Sequence, residues 1–431
     1  MNKIAIYEPD PRICGPGTWS KHLAAGFRMN GCECDVVSFT KSGKRKLRWG
    51  RCVPDKGQAQ SSPLDPTRCA RIKDAKEVLD EYDLVILPEP KSPTDDFAAQ
   101  KNYDDEPEYV RILGSTRTPW ATALHGKYYY EPDEAPRGLA ENRGTPYLEQ
   151  LLTLKNFTGF AVEHAPDGQF AQHSKRLRED VRRVYSPLPF ELSVTQDEIK
   201  AARKKTPTLV VLGRVTKIKY RHYVNHMVIT GRLRGWHVIY AGGSSCQQGP
   251  NEAYMLYEHL KNNGAVDVTP REGGAKSATP WDVSLNDCHV EFRGVYDKAR
   301  DVALGCHVHV GITDCLFSGG LLEFSTLEGI ECGCLPVISR PFVPPYGDVL
   351  KLGVLEWEPH GHHGGAKNAE GYGVLDTSTD PIIDEVCGQL SKIVDESYDA
   401  VGEYSTAINH EAIKFWQDPA KVARIFLKEC L

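Results

Sequence analysis

The chain predicts an α/β protein of two Rossmann-like domains. Three observations carry this. The first 40 residues read strand, glycine turn, helix, strand. Short apolar runs then recur with a polar or acidic residue at each carboxyl end. The same pattern starts again after a proline-bearing stretch at Ser186-Pro-Leu-Pro-Phe190. A strand–helix–strand unit of this kind implies a parallel sheet. At 431 residues the chain is also too long for one ordinary domain.

Each element has a local reason. Lys3–Tyr7 is apolar enough for a buried strand. Cys14-Gly-Pro-Gly-Thr-Trp-Ser20 reads as a glycine loop, with Thr18 or Ser20 as cap of the helix that buries Leu23 and Phe27. Gly31 closes that helix, and Asp35–Phe39 is the next strand. Further strands are predicted at 84–87, 120–124 and 159–162. They end on Glu89, on His125 and on Glu163-His164. Ligands of open α/β sheets gather outside such carboxyl ends. After the linker, strands are expected at 208–212, 236–240, 290–292, 308–311 and 335–338, with a helix at 297–304 and helical character around 252–260. Residues 273–282 are expected to carry little regular structure, and 407–431 reads as one amphipathic helical segment. The expected division is 1–188, 189–405, and a terminal segment 406–431 that crosses back onto the first domain.

Composition narrows the class. Hydrophobic residues make up 40% and charged residues 26%, as in a soluble globular protein. No apolar run is long enough to span a bilayer, and the start Met-Asn-Lys-Ile-Ala-Ile has no signal-peptide architecture. Thirteen cysteines lack a disulfide framework, and the spacings Cys32/Cys34 and Cys332/Cys334 do not suit zinc. Reduced thiols in a cytoplasm are expected. The net charge of −6 argues against a non-specific nucleic-acid binder, yet Lys41–Arg51 contains no acid and Lys175–Arg183 is also basic. Lys44, Arg45, Lys46 and Arg48, with Trp49 among them, are candidate DNA contacts.

The most informative segment is Leu322-Glu-Phe-Ser-Thr-Leu-Glu-Gly329, preceded by Gly319 and Gly320. It reads as a glycine turn, then a helix carrying Glu323 and Glu328. A helix N-terminus outside a parallel strand suits an anion. Ionised carboxylates suit vicinal diols. Together they describe a nucleotide-sugar site. Upstream, Gly213-Arg-Val-Thr-Lys-Ile-Lys-Tyr220 sets Arg214 and Lys219 beyond a strand end, where they suit a pyrophosphate. Lys217 competes with Lys219.

The acidic segment resembles the donor-binding signature of retaining GT-B-type glycosyltransferases. Its short glutamate spacing is similar to that of the T-even bacteriophage DNA α-glucosyltransferases, and so is the Arg214 to Lys219 spacing. The resemblance implies that the two domains face one another across a deep cleft, with a UDP-sugar donor on the second domain, no obligatory cofactor or metal, and retention of configuration. Arg214 and Lys219 would neutralise the leaving UDP. Glu323 would contact sugar hydroxyls and Glu328 the ribose diol. Gly15 and Gly17 would face the donor phosphates across the cleft, and Val295 and Tyr296 would border the uracil. His125 ends the strand that resembles the family's acceptor-side strand. There Gly126 stands where the family has an acid, and Asp133, Asp167 or Glu163 could substitute for it. Together with Glu323 and Arg214, His125 is the implied catalytic set, and His164 and Asp167 are ranked below it. The implied acceptor is a hydroxymethylated pyrimidine, foremost 5-hydroxymethylcytosine, in double-stranded DNA, with a monomer working in the infected host's cytoplasm. Glucose is the implied sugar, with a pentose such as arabinose the other choice. Two other readings stay open: a bacterial envelope-polysaccharide or small-molecule transferase, and a non-catalytic nucleic-acid-binding Rossmann protein.

Overall fold

The computed structural model describes residues 1–8, 15–40, 43, 67–88, 108–124, 152–164, 181–213, 215, 219–243, 252–272, 279–313, 322–357 and 382–431. The first sheet is built from β1 (Lys3–Tyr7), β2 (Glu33–Thr40), β3 (Arg68–Arg71), β4 (Leu84–Leu87), β5 (Trp120–Leu124), β6 (Phe157–Glu163) and β7 (Arg182–Tyr185). Helices α1 (Gly15–Met29), α2 (Ala75–Leu79) and α3 (Glu108–Ser115) lie among these strands. The second sheet comprises β8 (Thr208–Leu212), β9 (His237–Ala241), β10 (Val266–Thr269), β11 (Trp281–Leu285), β12 (Cys288–Phe292), β13 (Val308–Gly311), β14 (Leu335–Ser339) and β15 (Gly353–Leu355). Its helices are α4 (Gln196–Ala202), α5 (Arg221–Ile229), α6 (Glu252–Asn262), α7 (Arg300–Ala303) and α8 (Phe324–Glu331). Three more follow: α9 (Ile383–Ala400), α10 (Glu403–Trp416) and α11 (Pro419–Cys430).

The first sheet runs β3-β2-β1-β4-β5-β6-β7, and every neighbouring pair is parallel. The second runs β10-β11-β12-β9-β8-β13-β14-β15. It is parallel from β12 onward, while β10, β11 and β12 pair antiparallel. Both sheets reverse their winding beside the first strand, between β1 and β4 and between β8 and β13. Such switch points open a crevice at the carboxyl ends of the strands. The central strands are covered on both faces, so Ile4, Ala5 and Ile6 are all fully buried.

Four local expectations need correction. Gly15 and Gly17 belong to the first turn of α1 and not to a loop, with Pro16 beside them where a missing N–H costs nothing. Thr18 and Ser20 therefore lie inside the helix and not at its N-cap position, and the Ser20 hydroxyl donates to Glu8 just after β1, 3.0 Å away. Of the stretch 273–282 expected to be irregular, 273–278 lie outside the described residues, 279–280 are irregular, and 281–282 open β11, hairpinned to β12 across Asn286 and Asp287, both at positive φ. The helix expected over 297–304 is shortened to α7. The C-terminal segment is two helices, because Asp418 caps α11 through the Ala420 amide at 2.8 Å and Pro419 starts a new first turn.

That break decides what packs where. α10 stays with the second sheet, through His410 to the Ile330 carbonyl (3.1 Å) and Asn409 to the Lys351 backbone (2.6 and 3.0 Å). α11 lies on α1. The return to the first sheet, expected from 406, thus falls at Gln417 and Asp418. A Cβ at Gly26 would come within 2.1 Å of the Pro419 carbonyl oxygen, so only glycine admits this approach. One apolar core draws on both halves, with Trp19 and Phe27 from α1, Leu327 and Ile330 from α8, and Ile413 and Phe426 from α10 and α11. Among the described residues no helix is long and apolar enough to cross a membrane.

Candidate donor site at the second switch point

Between β8 and β13 the chain leaves both strands on polar groups. β8 ends in Gly213 at φ +88°, a value that favours glycine. The chain returns at Lys219 and enters α5 through Tyr220, which is left-handed at φ 48°. β13 is followed by Thr313, and α8 starts from Glu323, whose extended backbone holds the N-cap position. Lys219, Thr313 and Glu323 therefore converge although they are far apart in sequence.

The Lys219 ammonium bonds both carboxylate oxygens of Glu323 and donates to the Thr313 hydroxyl at 3.0 Å. Thr313 in turn donates to Glu323 at 3.1 Å. The two charged side chains keep only 13% and 20% of their exposure, so the pair is largely desolvated. Burial alone would raise the Glu323 carboxyl. The Lys219 charge and the bonds from Lys219 and Thr313 outweigh it and hold the group below its usual range. Glu323 is thus ionised at neutral pH.

Beneath this cluster lies a residue that the motif reading missed. Arg221 is buried, and its guanidinium donates to the Leu212 and Val310 carbonyls at the ends of β8 and β13. Burial pulls it down to about 10, against the pull of Glu323, so it stays charged at neutral pH. Lys219 and Arg221 against Glu323 leave one positive charge in excess, facing the crevice floor. The available signal was position alone: Arg221 follows Lys219 by two residues.

Glu328 lies one and a half turns into α8. The Tyr296 hydroxyl donates to its Oε2 at 2.7 Å. Burial pushes this carboxyl up to about 7, with the Tyr296 bond lowering it, Glu331 raising it and Lys21 of α1 lowering it. The influence of Lys21 brings α1 of the first sheet close to the acid. So does the His22 ring of α1, which stacks on Phe324 at 6.1 Å. The hydroxyl of Tyr296 is thus bonded to Glu328, and Val295 is half-buried beside it.

On the first sheet, His164 is corrected from a ligand-facing residue to a core one. It is 1% exposed; its Nε2 accepts from Trp19 Nε1 at 2.7 Å, so Nδ1 carries the proton and donates to the Ser186 carbonyl at 2.6 Å. Glu163, at the end of β6, is raised by burial against the charge of Arg183, which stands 3.6 Å away. Gly15 and Gly17 stand at the start of α1, outside β1. His125, Arg214, Lys217, Gly319 and Gly320 lie outside the described residues, as do Glu89, Asp133, Asp167, Lys44, Arg45, Lys46, Arg48 and Trp49.

No protein-family model matches the sequence, and no curated protein matches it. Solved structures do. An alpha-glucosyltransferase in complex with UDP and a 13-mer DNA containing an HMU base superposes with a TM-score of 0.58 at 14% identity, covering 99% of both chains. This is a GT-B fold. HepE from Anabaena, in complex with UDP and glucose, matches this GT-B chain with a TM-score of 0.52 at 13% identity over 99% of each. The lipopolysaccharide outer core galactosyltransferase WaaB matches with 0.52 at 12%, covering 99% of this chain and 100% of its own. At such identities the likeness describes the GT-B scaffold, and the chemistry has to be argued from the residues.

Proposed function

We propose that the chain is a UDP-sugar-dependent glycosyltransferase that passes a sugar, with retention, to the hydroxymethyl group of a modified pyrimidine in double-stranded DNA. The observation that carries this reading is the Lys219–Thr313–Glu323 cluster, with Glu328 on the same helix, at the switch point of a GT-B sheet. Lys219 and Arg214 are the proposed partners of the diphosphate, where they stabilise charge as the phosphate leaves. Arg221 adds a fixed positive charge below them. Glu323 is the proposed partner of the sugar hydroxyls and Glu328 of the ribose diol. His125 and the first turn of α1, with Gly15 and Gly17, are the proposed opposite wall. No resident cofactor is part of the reading. Glucose is the favoured sugar and 5-hydroxymethylcytosine the favoured base.

The likeness to an alpha-glucosyltransferase that holds UDP and DNA supports the DNA acceptor. The likeness to the galactosyltransferase WaaB favours an envelope sugar instead. One experiment separates them. The protein is incubated with hydroxymethylated DNA and a panel of UDP-hexoses and UDP-pentoses, and the digested nucleosides are weighed. A mass gain of one hexose or pentose on hydroxymethylcytidine is expected. UDP-sugar hydrolysis or transfer to a glycan acceptor, with unmodified DNA, would replace the DNA reading by the envelope one.

The DNA contact has its own test. Neutralising Lys44, Arg45, Lys46 and Arg48 together is expected to weaken DNA binding and to flatten its salt dependence. Each lost phosphate contact lowers the log–log slope by roughly 0.9. UDP affinity should stay unchanged. A variant with the parent's slope moves the DNA surface elsewhere, first to Lys175–Arg183.

A further inference from the structure

Tyr296 stands apart from the residues assigned so far, because its hydroxyl joins parts of the site that the sequence keeps separate. It follows β12, where Gly294 turns the chain at φ +76° and the Gly242 amide donates to the Gly294 carbonyl at 2.8 Å. The ring packs against the apolar cluster of Ala299, Ala303, Cys332 and Cys334 beneath α8. The hydroxyl donates to Glu328 Oε2 at 2.7 Å. One bond thus ties the turn after β12 to the middle of α8. Among the described residues, Glu328 Oε1 accepts no hydrogen bond, so one carboxylate oxygen is held and the other is open.

We propose that Tyr296 is a positioning residue for nucleotide recognition: it fixes Glu328 through one oxygen and leaves the other to accept from the ribose diol of the donor. The inference rests on the donor-site reading above and adds a residue to it. Three arguments support it. A carboxylate with both oxygens free rotates about its last bond and loses that freedom on binding; one strong bond from a partly buried phenol removes the loss beforehand. Tyrosine O–H donates to a carboxylate and leaves the acceptor capacity of the second oxygen intact. The anchor is held in place, since the half-buried ring packs against an apolar cluster.

The proposal has a pH consequence with a definite sign. The groups facing Glu328 are Tyr296, Glu331 and Cys332 near the end of its own helix, and Lys21 from α1. Burial raises the Glu328 carboxyl to about 7, and the Tyr296 bond opposes that rise. Only the ionised form accepts from both diol hydroxyls. Affinity for a ribose diol therefore strengthens as pH rises through about 7, and without Tyr296 the step moves to higher pH.

The test uses calorimetry with UDP and 2′,3′-dideoxy-UDP on the full chain and on Tyr296→Phe, which removes a single oxygen and keeps the ring. The ratio of the two affinities cancels phosphate titration common to both ligands. At pH 8 the substitution is expected to weaken UDP about tenfold and to leave dideoxy-UDP within about twofold. In the unaltered chain the ratio should rise between pH 6 and 8. Glu328→Gln should abolish that rise, and Tyr296→Phe should shift it upward. Equal weakening of both ligands would make Tyr296 a structural residue only, and no weakening of either would remove its role. A flat ratio in the unaltered chain overturns the proposal without any variant. If the unaltered chain binds no UDP at all, the donor-site reading fails first and takes this inference with it, a result distinct from all the others.

Discussion

Glu323→Ala is expected to lower sugar transfer on the order of a hundredfold or more while leaving UDP affinity no weaker than in the unaltered chain. The two halves follow from one geometry. Glu323 is held ionised, by Lys219 and Thr313, at the N-cap of α8. In the proposed site it meets the sugar, so its loss is felt by the group being transferred. UDP lacks the transferred sugar and does not need it. Removing the acid also removes the carboxylate that Lys219 pairs with, while its bond to Thr313 remains, and the positive charge of Lys219 and Arg221 is then less offset at the proposed diphosphate position. UDP binding should hold or tighten. Stability should fall by about 1–3 kcal/mol, below the usual 3–5 for breaking a buried pair because both side chains keep some exposure. Glu323→Gln preserves the shape and the bond from Thr313, and it should be milder in stability yet equally poor in transfer. The measurements are UDP calorimetry and single-turnover transfer. Near-normal transfer in either variant would take Glu323 out of the sugar site.

The sequence carries the scaffold more openly than the site. Parallel strands covered on both faces must be continuous apolar runs, and so β1, β4, β5, β8, β13 and β14 stand out from their composition alone. The edge hairpin β10–β11 does not. Val266 and Val268 are exposed there, and Asp267 and Asp282 interrupt the runs, so no apolar periodicity marks it. Turn chemistry misled at α1, where two glycines around a proline signal a loop but pack into a first helical turn. Within the candidate site, Lys219 and Glu323 were legible from their places beyond a strand and at a helix start, and Glu328, in the middle of α8, from its five-residue spacing to Glu323. Thr313 and Arg221 were not. A threonine after a strand is commonplace, and the role of Arg221 depends on which two strands are neighbours, which sequence order does not reveal. His164 shows the reverse error. It ends a strand exactly as a ligand-facing residue would, but Trp19 and the Ser186 carbonyl claim both its nitrogens.

Gly329→Ala is expected to damage stability and donor binding together. α8 carries both glutamates, and it reaches the crevice by lying directly on β13. Gly329 faces His309, and a Cβ there would come within 2.8 Å of His309 Cγ and 2.9 Å of its Cβ. Those atoms are close to the backbone of a central strand, so the ring cannot swing away. His309 is fully buried, with Nδ1 on the Val210 carbonyl at 3.2 Å. Gly311 is closed in the same way, since a Cβ there would meet the Thr326 hydroxyl at 2.8 Å. The methyl must therefore lift the helix, at roughly 1–3 kcal/mol or more for overpacking, and Glu323 and Glu328 move with it. Urea unfolding should show a lower midpoint with the slope unchanged, and UDP affinity should drop. Gly402→Ala, where a Cβ meets nothing within 4 Å and the backbone is extended, serves as the control and should change little. The decisive variant is the pair. His309→Ala alone loses packing, but in the Gly329→Ala background it removes the contact with the ring and leaves only the one with Cβ at 2.9 Å, so the crowding is partly relieved. The double variant should then be more stable than the sum of the two single effects by about 0.5–3 kcal/mol, the range of coupling between residues in contact. Strict additivity would mean that α8 does not rest on His309 and that its acids are positioned some other way.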